Sequence, residues 1–352
     1  MSTKRTIAVA MSGGVDSSVA AALLVESGEK VFGLMLRLWS AGPERPNRCC
    51  SPRDVSNARK VAGRLRIPFY VLDAKDEFKN RVVDSFISGY ADGLTPNPCL
   101  RCNRELRWGL LLEHATKLGA THLATGHYAQ LRRTNGHYRL YRALDRRKDQ
   151  SYVLSVLGQK QLTRTLLPLG ELDKEKVREI ARDLGFVTAD RPESQDLCFL
   201  GGGDYRTFLA ERMEATPGAI LDKQGNSLAT HSGLENFTIG QRKGIGISGP
   251  EPLYVIDKDV KRNALIVGPR AELGRTHFTV RELNWVSGSP PSGETPLTVQ
   301  VRYRTPAVSA QLETFQDRTE VVVEKPLTHI APGQAAVFYD KDECLGGGLI
   351  SR

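Results

Sequence analysis

The chain has 352 residues, 40% of them hydrophobic and 25% charged, enough for two or three globular domains. No apolar run approaches the roughly 18 residues of a membrane span, and Met1 to Arg5 leave no room for a signal or transit peptide, so a cytoplasmic protein is expected. A net charge of +9 and a pI near 9.3 favour an anionic partner such as RNA, and six cysteines without secretion point to thiol chemistry or metal binding rather than a disulfide framework.

Thr6-Ile7 reads as a short buried strand and residues 19–24 as a helix closed by Gly28. Between them, Ser12-Gly13-Gly14-Val15-Asp16-Ser17-Ser18 is a tight turn whose backbone N–H groups and helix dipole suit a phosphate. The two glycines let backbone approach an anion, and Asp16 either caps the helix or holds a magnesium ion bridging phosphates. Without a ligand the same stretch is simply an N-capped turn. Residues 31–38 form a second, nearly all-apolar strand, as a buried parallel strand requires. A polar loop through Cys49 and Cys50 precedes a helix over 54–65, and 68–73 gives a third strand. Helices over 78–90 and 106–118 and a strand over 121–126 follow. This alternation predicts a doubly wound parallel sheet, with ligands at the carboxyl ends of its strands, where the glycine turn, Met35 and Gly126 lie.

Three further features carry chemistry. Thr95-Pro96-Asn97-Pro98-Cys99-Leu100-Arg101-Cys102 delivers a Cys-x-x-Cys turn to a helix start, where Arg101 and Arg104 are expected to lower the thiol pKa. Half a structural zinc site is the other reading, but a second suitably spaced pair is missing. Ser194-Gln195-Asp196-Leu197-Cys198-Phe199 brings a third cysteine, which taken alone is ordinary core. Residues 132–148 carry seven basic residues against Asp145, a solvated hairpin unless something anionic covers it. Beyond about Leu200 the alternation stops. Gly201-Gly202-Gly203 suits a hinge, and a helix near 205–212 leads into short β segments. The glycine-rich 238–249 stretch lacks a following helix and reads as a structural or RNA-facing loop. From Phe278 onward, alternating segments predict a small antiparallel barrel, with Arg302 and Arg304 flanking Tyr303 for phosphate contact and stacking.

The turn Ser-Gly-Gly-x-Asp-Ser resembles the pyrophosphate loop of the N-type ATP pyrophosphatases, which leave an AMP ester on a substrate oxygen; it lacks the Gly-Lys-Ser/Thr of a Walker loop. Taken with Thr-Pro-Asn-Pro-x-x-x-Cys-Asn at 95–103, Ala-Thr-Gly-His-Tyr at 124–128, Lys-Asp-Gln-Ser-Tyr at 148–152, Ser-Gln-Asp-x-Cys-Phe at 194–199, Asn-Phe-Thr-Ile-Gly-Gln-Arg-Lys-Gly at 236–244 and Val-Arg-Tyr-Arg at 301–304, the chain resembles the tRNA-specific 2-thiouridylases nearly end to end. That resemblance implies an adenine nucleotide alpha hydrolase-like domain over 1–200, a small mixed linker domain over 201–276 and a C-terminal antiparallel β-barrel that binds tRNA over 277–352.

It further implies ATP contacts from Ala10, Met11, Ser12, Gly13, Gly14, Val15, Asp16, Ser17, Met35 and Gly126, with Mg2+. Asn97, Pro98 and Cys99 would surround the flipped target base. His127, Lys148, Asp149, Gln150, Arg302, Tyr303 and Gln334 would contact tRNA. Cys102 matches the catalytic nucleophile and Cys198 the persulfide carrier, with a Cys102–Cys198 disulfide as one end point. Because the family has Asp or Cys at position 99, Cys99, Cys102 and Cys198 are also expected as ligands of a [4Fe–4S] cluster, the alternative to a persulfide relay. Implied partners are the anticodon stem-loops of lysine, glutamate and glutamine tRNAs and a persulfide donor such as a cysteine desulfurase or relay protein, with no membrane. Two rival readings are an argininosuccinate synthetase-like ligase, which has no use for the thiols, and a non-catalytic RNA-binding protein, which leaves the loop idle.

Overall fold

The computed structural model describes residues 5–39, 51–192, 197–201, 203–248, 250–291 and 296–352. Cys49 and Cys50, Ser194 to Asp196 of the third-cysteine motif, and Gly202 of the expected hinge lie outside the described residues. Strand β1 (Thr6–Ala10) leads into helix α1 (Val15–Glu26) and back to β2 (Lys30–Arg37), whose six central residues are all buried. Helix α2 (Pro52–Leu65) precedes β3 (Phe69–Asp73), and β4 (His122–Thr125) pairs with the other side of β1. A hairpin of β5 (Ala129–Thr134) and β6 (His137–Arg142) follows, then the short β7 (Thr165–Leu166). The result is a five-stranded parallel sheet in the order β3-β2-β1-β4-β7. The order turns around β1, so a crevice opens at the carboxyl ends of β1 and β4.

Between β3 and β4 the chain is helical for longer than periodicity predicts. Helix α3 (Lys75–Phe78) runs through a π-helical stretch, Lys79–Val83, into α4 (Asp84–Ala91). The next helix begins at α5 (Pro98–Arg101), continues as π-helix over Cys102–Leu111 and ends as α6 (Leu112–Lys117). The expected start at residue 106 is eight residues late. Asn97 caps the true start, its Oδ1 accepting from the Cys99 N–H at 3.1 Å, and Pro98 fits the first turn, where no donor is needed.

A mixed sheet of β8 (Gly218–Leu221), β9 (Ser227–His231), β10 (Leu253–Asp259) and β11 (Ala264–Pro269) forms the middle of the chain. Six antiparallel strands then close into a barrel: β12 (Arg275–Trp285), β13 (Leu297–Gln300), β14 (Val308–Thr314), β15 (Thr319–Leu327), β16 (Ala335–Asp340) and β17 (Glu343–Ile350), with β12 pairing both β15 and β17. The basic hairpin is not a free solvated arm. Strand β6 pairs with β17 at Tyr141–Glu343 and Leu140–Cys344, so the hairpin extends the barrel sheet. Leu140 and Cys344 are fully buried there, and Arg139 and Arg142 are spent on Glu343 and Asp149. Among the described residues no helix is long and apolar enough to cross a membrane.

Lys258 on β10 is 3% exposed, and its Nζ has no hydrogen-bond partner among the described residues. Burial lowers its pKa from the usual lysine range to about 8, a rise in charge cost that nearby Glu235 only partly offsets. A depressed lysine pKa means that the unfolded chain holds the extra proton between the folded and unfolded values. Stability therefore rises with pH from about 8 to about 10.5. Lys258→Met is expected to raise stability at pH 7 by on the order of 3 kcal/mol and to lose that gain by pH 10 to 11. Denaturant midpoints at the two pH values check it; an equal gain at both would assign the effect to packing.

Candidate active site

Gly13 and Gly14 form the loop between β1 and α1, with Gly14 as the extended N-cap residue of α1. Gly13 has φ +73°, and a Cβ there would sit 2.4 Å from the Asp54 carbonyl oxygen, so only glycine fits. Hydroxyls brace the turn: the Ser12 N–H donates to Ser17 Oγ at 3.1 Å, and Ser18 Oγ donates to the Gly14 carbonyl at 2.8 Å. Ser12 remains exposed, whereas Met11, Val15 and Ser17 are buried and Ala10 is half-buried. Gly126, just past β4, closes against the start of α1; a Cβ on it would lie 2.7 Å from the Ser17 nitrogen. Met35 is 1% exposed inside the core beneath the loop, so it offers no open surface to a nucleotide.

Sequence reasoning missed the side chains that set the loop's electrostatics. Lys174, at the start of the helix Lys174–Asp183, places Nζ 2.5 Å from Asp16 Oδ1, and the Tyr128 hydroxyl donates to the same oxygen at 2.7 Å. Arg191 Nη1 donates to the Gly13 carbonyl at 2.9 Å and pairs with buried Asp54. Tyr128 closes the Ala-Thr-Gly-His-Tyr motif and was within reach of sequence reading; Lys174 and Arg191 carry no local signal. The lysine lies 158 residues from Asp16.

The three cysteines expected to work together are brought together. Cys99, Cys102 and Cys198 are all free thiols, and each is close enough to the others to raise the cost of charging them. The expected low thiol pKa is contradicted. Burial pushes Cys102 up to about 12 and Cys99 up to about 11, although Cys99 opens to solvent and water recovers part of its rise. Neither Arg101 nor Arg104 opposes this: Arg101 pairs with Glu105, and Arg104 is exposed. Arg107 is the opposing cation, lowering both thiols. Among the described residues no three His, Cys, Asp or Glu side chains converge on a metal position, so the thiol set does not fit a metal centre as it stands.

Asn97 is half-buried and Pro98 buried beside Cys99. The barrel holds this segment: the Thr95 N–H donates to the Pro332 carbonyl at 2.8 Å, and Gln334 Nε2 donates to the Thr95 carbonyl at 2.7 Å. Tyr303 packs 5.9 Å, ring to ring, from Tyr152 and lies near Cys99, while neighbouring Arg302 is exposed. Of the residues expected at tRNA, His127 and Asp149 are buried. Asp149 instead ties Arg142, the Ala143 N–H and Ser151 together. Gln150 accepts from the Tyr128 N–H at 3.0 Å, and Lys148 is half-buried beside it. A hydrogen-bonding residue buried this way is a support first, because solvent-sized openings must exist before RNA reaches it.

Family descriptions match nearly the whole chain: tRNA methyl transferase HUP domain over residues 5–202, tRNA methyl transferase PRC-barrel domain over 206–269 and aminomethyltransferase beta-barrel domain over 275–350. The chain is 46% identical over 354 residues to the tRNA-specific 2-thiouridylase MnmA of Chloroflexus aurantiacus, covering 98% of both proteins. To that of Magnetococcus marinus it is 44% identical over 357 residues, covering 99% of this chain and all of the other. Among solved structures it is similar to NMN synthetase from Francisella tularensis, with a TM-score of 0.35 and 17% identity over 55% of this chain and 67% of that one.

Proposed function

Because the chain belongs to the tRNA-specific 2-thiouridylase family, we propose that its loop and its thiols divide one reaction between them: ATP-dependent replacement of the wobble uridine 2-oxygen by sulfur. The observation that carries this division is a single strand end. Gly126 closes on the ATP loop, and the next residue, His127, touches the arginine that reaches Cys102.

A carbonyl oxygen is a poor leaving group, so the uridine 2-oxygen first attacks the α-phosphate of ATP, giving an O-adenylate and pyrophosphate. The N–H groups at the start of α1 and the Ser12 and Ser17 hydroxyls suit the phosphates. Asp16 would hold the magnesium that accompanies ATP, and such an ion would offset phosphate charge. Asp16 Oδ1 already receives Lys174 and Tyr128, so such an ion would meet a carboxylate that is already shared.

The terminal sulfur of a Cys198 persulfide then attacks C2 and expels AMP. Cys102 attacks the Cys198 sulfur, the S–S bond breaks, and its electron pair stays on the sulfur now bound to C2, giving 2-thiouridine. The enzyme is left with a Cys102–Cys198 disulfide, which an external dithiol reduces before the next turnover. In the variant that frees sulfide first, the same disulfide forms and sulfide displaces AMP. The alternative of a cluster-bound sulfide finds no metal position among the described residues, and no step here uses it.

The tRNA set is that of lysine, glutamate and glutamine, and the sulfur comes from a cysteine desulfurase or a persulfide relay protein in the cytoplasm. Unmodified tRNA, ATP, magnesium and a persulfide donor, incubated without oxygen with metal-stripped protein, should yield AMP, pyrophosphate and 2-thiouridine in equal amounts. Thiouridine appearing only after iron and sulfide are restored would replace the two-thiol course with the cluster. An ATP-dependent product that survives substitution of both Cys102 and Cys198 would favour an argininosuccinate synthetase-like ligase.

A further inference from the structure

Cys102 must carry negative charge as it attacks, yet it is buried. The cation beside it, Arg107, is five residues further along, about 1.4 turns away in an α-helix and therefore on another face. The π-helical stretch Cys102–Leu111 changes that. Its wider turn returns residue i+5 to nearly the same face, and the Leu112 N–H reaches back to the Arg107 carbonyl in that register. Arg107 thereby lies close enough to Cys102 to oppose the cost of charging it.

A long side chain needs something to hold it there. Arg107 Nη1 stands 3.0 Å from His127 Nε2, and His127 Nδ1 stands 2.8 Å from Thr125 Oγ1. A guanidinium only donates, so Nε2 accepts, the ring proton sits on Nδ1, and the Thr125 oxygen accepts it. His127 is 5% exposed and rests 5.5 Å from the Trp108 ring, and Trp108 Nε1 donates to Thr165 Oγ1 at 2.6 Å. Each partner in the series is thus fixed by the parallel sheet.

We propose that His127 is a positioning residue that aims Arg107 at Cys102, so that the guanidinium stabilises negative charge on that sulfur during attack on the sulfur of Cys198. This rests on the two-thiol reading above. His127 acts on the sulfur only through Arg107, and Arg107 is the group that meets the reacting sulfur.

The test compares His127→Gln, His127→Leu, Arg107→Lys and Arg107→Met in three measurements: tRNA-dependent pyrophosphate release, single-turnover thiolation, and alkylation of Cys102 by iodoacetamide at pH 7 in a Cys99→Ser, Cys198→Ser background. Losing a hydrogen bond to a charged group corresponds to about 10- to 100-fold, so His127→Leu and Arg107→Met should slow thiolation and alkylation by that factor. Pyrophosphate release should stay within a fewfold of wild type. His127→Gln, whose amide oxygen accepts from Arg107, should recover most of the loss, and Arg107→Lys part of it. If His127→Leu raises the tRNA KM and leaves kcat and alkylation alone, or if Gln and Leu are equally impaired while both remain folded by thermal melting, the proposal is wrong. The alkylation readout needs neither tRNA nor persulfide. A failed two-thiol course would therefore show as thiolation surviving Cys198→Ser, with the alkylation pattern unchanged.

Discussion

Cys102→Ser is expected to lower 2-thiouridine formation by at least about a thousandfold while pyrophosphate release on the first turnover stays within a fewfold of wild type. The two halves of the reaction use different groups. In the proposed course the loop of Gly13 and Gly14 activates the uridine oxygen, and only the thiols deliver sulfur. Serine keeps the shape of Cys102 but attacks an S–S bond poorly, so the persulfide course should stop at tRNA joined through C2 and an S–S bond to Cys198 with AMP already expelled, and the variant that frees sulfide first should stop at the adenylate. Cys198→Ser should show the same split, and the double variant should be no worse than either single one, because the two sulfurs serve one step. Quenched-flow assays of pyrophosphate and thiouridine read both halves together. Equal loss of both products would mean that Cys102 serves the adenylation step and that the assignment of roles must be redrawn.

Gly13→Ala is expected to abolish adenylation, with pyrophosphate release down at least about a hundredfold, and to cost about 1–3 kcal/mol of stability. The new methyl group would meet main chain, the Asp54 carbonyl at 2.4 Å and its Cα at 2.8 Å. That main chain has little freedom to retreat. Asp54 is locked at the start of α2 by a reciprocal pair of hydrogen bonds with Ser51, and its carboxylate holds Arg191, which donates back to Gly13. The loop itself must therefore shift, and with it every N–H aimed at phosphate. Gly28 provides the control: its φ is +79°, but a Cβ there meets nothing within 4 Å. Gly28→Ala should cost only about 1 kcal/mol of left-handed strain and leave pyrophosphate release intact. Equal activity in the two variants would detach the loop's geometry from its chemistry.

What could be read from sequence follows from what local pattern encodes. The parallel sheet was legible because buried strands such as Val31 to Leu36 are apolar without interruption, and the glycine turn because tight turns need specific residues. The barrel was legible from two-residue alternation, but its closure through β12 and β17 and its extension by the hairpin were not. Strand pairing across 200 residues leaves no local mark, so the arginines of 132–148 looked solvated. The thiol environment was misread for a related reason. Helix-start arguments assume α spacing, which selects Arg101 and Arg104, and the π register that selects Arg107 has no sequence signature. Burial, which reverses the expected thiol shift, is a tertiary property. Lys174 shows the same limit, since its meaning comes entirely from Asp16.

The turn at Pro332 to Gln334 grips Thr95 from 239 residues downstream in the case of Gln334. During synthesis, at about 5–20 residues per second, the parallel sheet and its ATP loop are complete well before that turn exists. For roughly 7–30 seconds the nascent chain thus holds the complete loop and its partners beside a Thr95-to-Cys99 segment that the barrel does not yet brace. The order of synthesis makes the barrel an assembly checkpoint: on the proposed division of roles, a ribosome-bound or prematurely ended chain would carry its ATP loop, while the segment leading to Cys99 would gain its brace only when the last strands close.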